Sequence, residues 1–385
     1  MSRSWIIFTC LFMTVVSEVL LSPFYPQFFT EFFQVDGLQA TSLFIICCRM
    51  VAIIMTPIWG ILLKKWEVEK VSVYALISIG ICKLMLSESN SFFMFLSFSL
   101  LLLVFQSCLY LLYPHLVSTS ENKEKKAATY LLALHGGIIV ASLAGSFVIS
   151  WEMPLLIYKL FACTDLIFAA IFAKGFSGSK KAKDNRRVIR TSFPTRLIGY
   201  LLAVFLFHVA HNMVRPYFTV FVSNEYGIDE WLNAMLYVMP SVMAIVLKFM
   251  LPPGMFDRFN MMYVLYGVLA FSSVVLIIQA FTSSLVLFII SRCLYGIGFY
   301  ISLLLIDLYL FKQSNTETVS YYSWMLTAQN VGLLFAPLLA LILVQNGKLH
   351  IPLIGGGIVL LIAVLSFIMA QQRLTIYKSI KENKG

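Results

Sequence analysis

His208, His211, Asn212 and Arg215 lie within "HVAHNMVRPYF", a stretch that is otherwise apolar enough to sit in lipid. At helical periodicity they share one face. Histidine changes charge in the physiological pH range, and arginine keeps its charge throughout. The combination suits an anion gripped by Arg215 beside a protonation-dependent neighbour. The alternative is two neutral histidines satisfied by adjacent helices. A charge near the middle of a bilayer costs about 2.5–3.5 kcal/mol on insertion scales, so several such residues on one face argue for a polar cavity.

Other intramembrane charges extend the set. Glu18 lies in the first apolar run and Arg49 in the second, at comparable depth on consecutive helices. They are expected to pair, either as a proton-coupling carboxylate released from its arginine or as a permanent ion pair. Asp165 is a second proton-coupling candidate, with Lys159 the one cation in view on its own helix. The alternative for it is a merely hydrated or hydrogen-bonded acid. His135 falls in the fifth run. Arg292 belongs to the tenth, where it either meets substrate or serves a structural role.

These residues must be positioned by helices that cross a membrane. The chain has 385 residues, 60% hydrophobic and 12% charged, against about 25% charged in soluble domains. Apolar runs of roughly 20 residues match the length that spans a hydrocarbon core. Twelve are expected, at 5–29, 38–63, 68–87, 91–117, 126–150, 154–174, 196–222, 231–250, 260–280, 284–311, 319–345 and 350–372. Each must be a helix, because lipid offers no partners to open backbone groups. The first run is too long for a signal peptide and lacks a small-residue cleavage site.

The net charge of +10 follows topology. Lys and Arg gather at the N-terminus, at every second loop and at the C-terminus, which places both termini in the cytoplasm. The opposite loops carry Glu31, Asp36, Glu152, Glu225, Asp229 and Glu230. A nucleic-acid partner is therefore not expected. The seven cysteines all lie within spans without metal-type spacing, so neither a metal nor disulfides are implied. No phosphate-binding glycine loop or nucleophile–base motif suggests an enzyme or a cofactor.

The basic segment 175–195 divides the chain into a half at 1–174 and a half at 196–385. The halves align at an offset of about 193, which sets Pro23 on Pro216 and "GILLKKW" on "PGMFDRF". Two six-helix halves in parallel repeat are an organisation of secondary transporters.

On these residues the chain resembles the major facilitator superfamily over essentially its whole length. The family's loop motif between the second and third spans is met by Gly60 and Lys65, with Lys64 where the acid is usual. Its second-half copy keeps Asp257 and Arg258. The tenth span's "RCLYGIG" matches an Arg-x3-Gly-x-Gly pattern through Arg292, Gly296 and Gly298.

The resemblance implies an all-α membrane protein of twelve spans in two six-helix pseudo-repeats. It also implies a cavity lined by the first, fourth, seventh and tenth spans, and gating by Gly60, Lys65, Asp257 and Arg258. The expected function is proton-coupled transport of a small organic anion by rocking of the two halves. Glu18 and Asp165 would carry protons, and Arg49, His208, His211, Arg215 and Arg292 would bind substrate.

Similarity to efflux members points outward, with a carboxylate siderophore-like metabolite as one candidate. Efflux of amphipathic drugs and a non-transporting scaffold are the alternatives. The expected setting is the inner (plasma) membrane, with the protein acting as a monomer and using no cofactor.

Overall fold

The computed structural model of the chain describes residues 3–63, 66–112, 123–175, 198–250, 255, 260–313, 318–344 and 348–382. These residues form helices joined by short turns, with no strand among them. Among the described residues, eleven helices are long and apolar enough to cross a membrane, and Leu132–Val148 is the apolar part of the fifth span that they include. The helix of the fifth span runs from Lys123 to Val148. At the twelfth span the helix runs on to Glu382, well past the apolar stretch.

The first and seventh spans are broken in the same way. Each contains a one-turn 3-10 helix, Ser22–Phe24 in one and Arg215–Tyr217 in the other, with proline at its second residue. Proline has no N–H to donate and its ring crowds the carbonyl four residues back, so the α-helical ladder is interrupted there. A nine-residue helix follows in both, Tyr25–Phe33 and Phe218–Tyr226.

Both nine-residue helices end in a left-handed residue, Gln34 with φ 54° and Gly227 with φ 58°. Adding 193 to 22, 25, 34, 37, 68 and 92 gives 215, 218, 227, 230, 261 and 285. These are the starts of the 3-10 turn, the short helix, the left-handed cap and the next three spans. The repeat is thus in register residue by residue through four spans, despite slight sequence identity.

By its packing the chain falls into two compact units, Met1–Asn185 with Ile228–Val238, and Arg186–Gly227 with Met239–Gly385. Within the first, the third span packs on the sixth and fourth, and the first on the fifth. Phe28, Phe29, Phe44 and Phe95 fill one end with interlocked rings, such as Phe29–Phe44 at 5.6 Å and Phe44–Phe95 at 5.5 Å.

Within the second unit, the seventh span packs on the eleventh and twelfth, and the ninth on the tenth and twelfth. Glycine permits the seventh–eleventh approach. A Cβ at Gly332 would stand 2.8 Å from the Phe205 carbonyl oxygen and 3.1 Å from His208 Cβ. Small residues at such crossings let backbones come close where lipid supplies no hydrophobic drive between helices.

Candidate functional site

In the first unit, Glu18 sits near the C-terminal end of the Arg3–Val19 helix, just before the Pro23 break. Its Oε2 accepts a hydrogen bond from Gln106 Nε2 at 3.0 Å and another from the Tyr110 hydroxyl. Gln106 Nε2 also donates to the Tyr110 oxygen at 2.8 Å. Gln106 is buried and Glu18 is half-buried. The expected partner was Arg49. Among the described residues no ion pair joins Glu18 to Arg49, which is half-buried and acts on Tyr110 through space. The carboxylate is thus held by neutral donors of the fourth span.

Asp165 departs from expectation as well. Lys159 lies 2.8 Å from Glu88 at an exposed end. The cation beside Asp165 is Lys83 of the third span, with Nζ 2.6 Å from Oδ2 and both side chains almost wholly buried. Lys83 also lies 5.6 Å from the centre of the Phe161 ring. Spacing along one helix could not reveal this partner, because it comes from another. The available signal was a lysine and an aspartate buried in apolar spans that meet at the same loop-linked bundle.

In the second unit, the expected stripe divides. His211 turns toward the tenth span, where its Nδ1 lies 2.8 Å from the Tyr295 hydroxyl. Its ring stacks on Phe299 at 3.8 Å and 15°. Tyr295 lies nearly parallel at 5.9 Å. His208 is buried beside the eleventh span's Gly332, with its ring edge-on to Phe207 at 5.1 Å. Asn212 turns back to donate to the His208 carbonyl at 2.9 Å.

Arg215 is half-buried at the start of the 3-10 turn, one turn beyond His211. Arg292 is buried with its guanidinium 4.3 Å over the Phe218 ring and 5.7 Å from that of Tyr295. The charges acting on His211 come from Arg215, His208 and Arg292, all basic. His211, Arg215, Arg292 and Tyr295 therefore gather in one place, with His208 one turn before His211 and packed against the eleventh span.

Gly60 lies in the Gly37–Leu62 helix. The other expected gating residues, Lys65, Asp257 and Arg258, lie outside the described residues, as does nearly all of the 175–195 segment.

Outside the spans, Glu88 is the one perturbed carboxyl of note among the described residues. The hydrogen bond from Lys159 holds it below the usual carboxylate range.

The family described as Major Facilitator Superfamily matches residues 7–320. Among solved structures, the nucleoside transporter NupG is 13% identical over 96% of this chain and 99% of its own, with a TM-score of 0.74. A bacterial homolog of the human lysosomal transporter Spinster, inward-facing and occupied, is 11% identical over 96% of each chain, with a TM-score of 0.78. The human organic anion transporter MFSD10 is 14% identical over 94% of this chain and 98% of its own, with a TM-score of 0.66. No curated protein matches the chain in sequence.

Proposed function

Because the chain belongs to the Major Facilitator Superfamily, we propose that it is a proton-coupled transporter that exports a small organic anion. The observation that carries this reading is the gathering of His211, Arg215 and Arg292 around Tyr295, where every charge acting on His211 is basic. Such a place favours an anion. A planar guanidinium fits a carboxylate with two parallel donors, which suits Arg215. His211 adds a donor whose charge follows pH. Arg292, braced by Phe218 and Tyr295, supplies long-range attraction. His208, and Arg49 within the first unit, remain binding candidates in the same proposal.

Glu18 is the proposed proton carrier. Its two neutral donors can hold the charged or the protonated carboxyl, since a glutamine amide and a tyrosine hydroxyl each offer an acceptor as well as a donor. No fixed cation has to be displaced when Glu18 takes a proton. Asp165 carries protons only when its pair with Lys83 opens, which makes it the secondary site. Gating by Gly60, Lys65, Asp257 and Arg258 belongs to the same proposal, with two halves joined by the 175–195 linker. So do a monomer in the inner (plasma) membrane and termini in the cytoplasm.

MFSD10 is described as an organic anion transporter, but at 14% identity that likeness supports the fold and not the substrate. A second reading, efflux of amphipathic cargo, is favoured by the aromatic faces of Tyr295, Phe299 and Phe218 around the same charges.

The test is uptake into vesicles holding the purified protein. Labelled mono-, di- and tricarboxylates and an uncharged amphiphile are compared with and without an imposed pH gradient. Gradient-stimulated movement of a carboxylate supports the proposal. Movement of the amphiphile alone selects the second reading, and movement of nothing in the panel sinks both.

A further inference from the structure

Glu18 and His211 occupy the same position in the two repeats, since 18 plus 193 is 211. One facing residue of each also corresponds, because 106 plus 193 is 299. In the first half, position 106 is a glutamine whose amide donates to the Glu18 carboxylate at 3.0 Å. In the second half, position 299 is a phenylalanine, which has no in-plane donor or acceptor to offer an imidazole. It presents its face instead, 3.8 Å from the centre of the His211 ring and tilted by 15°. Phe207, one turn before His211, lies parallel to Phe299 at 5.7 Å and 8°, which fixes the phenyl ring in turn.

A stacked ring constrains the imidazole plane and leaves the ring edge open, where both nitrogens do their hydrogen bonding. Tyr295, one turn before Phe299 on the same span, takes one of those nitrogens: its hydroxyl lies 2.8 Å from Nδ1. The charged and titratable groups that act on His211 are Arg215 and His208 on its own span and Arg292 on the tenth, with Tyr295 as the bonded neighbour. All three charges are basic.

We infer that Tyr295 and Phe299 are positioning residues for His211: the Tyr295 hydroxyl donates to Nδ1, the Phe299 face fixes the ring plane, and neutral His211 is thereby held with its proton on Nε2. In that tautomer Nε2–H is a ready donor to a carboxylate. When a further proton binds at Nδ1, that bond reverses, the imidazolium N–H donating to the phenol oxygen, and Tyr295 keeps its own proton. The choice of tautomer by the partner at the other nitrogen is a general property of histidine. The benefit to transport rests on the proposed anion site, whereas the tautomer itself does not.

The test reads the ring nitrogens directly. Full-length protein labelled with 15N-histidine is placed in lipid nanodiscs, and His211→Gln identifies the His211 signals. Above the histidine titration range, wild type is expected to show a protonated Nε2 and an unprotonated Nδ1. Tyr295→Phe should lose that preference and split the proton between the two nitrogens. Phe299→Leu should broaden the signals or mix the tautomers, and Phe299→Tyr, which keeps a stacking face, should restore the wild-type pattern.

The buried His208 signal reports whether each variant remains folded. A protonated Nδ1 in wild type, or unchanged His211 signals in folded Tyr295→Phe, overturns the inference. No transported molecule enters this experiment. A failed anion assay would therefore remove the proposed function and leave the tautomer result standing.

Discussion

Lys83 of the third span and Asp165 of the sixth meet at 2.6 Å, with 2% and 4% of their side chains exposed. Taking two charges out of water is costly. Removing one partner is costlier still, by about 3–5 kcal/mol, because the survivor is left buried without compensation. Lys83→Met and Asp165→Asn should therefore each lower the thermal midpoint of the purified protein markedly. The double variant Lys83→Met/Asp165→Leu should recover most of the loss, since apolar replacements of similar volume are often neutral. Single variants as stable as the double would show that the pair contributes no such coupling.

The Glu88–Lys159 pair should behave differently. Glu88 is fully exposed, and its carboxyl is held below the usual carboxylate range by the Lys159 hydrogen bond. A lowered folded-state value stabilises above the ordinary carboxylate pKa, and the effect fades as pH falls through the lowered one. Exposed pairs of this kind contribute little. Glu88→Gln should leave the neutral-pH midpoint unchanged within error, and any difference from wild type should shrink on acidification. A large loss at neutral pH would contradict this.

Much of the architecture was legible because lipid leaves so few options: an apolar run of spanning length has to be a helix. The offset of 193 was visible from Pro23 and Pro216, since a proline that breaks a helix marks a backbone event and not just a side chain. What escaped were partners on other helices. Lys83 illustrates this, because a lone lysine near the end of an apolar run is equally compatible with a snorkelling side chain.

Periodicity sets the stripe of the seventh span on one face, yet the helix crosses two neighbours. His208 is buried beside the eleventh and His211 stacks against the tenth. Periodicity places residues on a face; it does not say which neighbour covers each part of that face.

Topology gives a third prediction. Single cysteines introduced in 175–195 should react with a membrane-impermeant thiol reagent only from the cytoplasmic side, and a cysteine at Glu225 or Asp229 only from the other. Native cysteines all fall within spans, so background should be low. Reversed accessibility would overturn the orientation.

For the anion site, the order of effects at Arg215 is diagnostic. Lysine keeps the charge but loses the planar fork, and glutamine loses both. Apparent affinity for the transported carboxylate should fall in Arg215→Lys and fall further in Arg215→Gln, by about tenfold for each 1.4 kcal/mol lost. His211→Gln should mainly flatten the pH dependence of binding. Equal affinities in wild type and Arg215→Gln would remove the case for an anionic substrate.

If Glu18 carries the proton, gradient-driven transport and counterflow respond differently to its loss. Wild type and Glu18→Gln are reconstituted in vesicles, and each is assayed twice: for carboxylate movement driven by a pH gradient, and for counterflow, which needs no net proton movement. Glutamine can still accept from Gln106 and Tyr110, so the local packing survives the change. Glu18→Gln should lose gradient-driven transport and retain counterflow close to wild type. Gradient-driven transport that persists in Glu18→Gln would contradict proton coupling at Glu18.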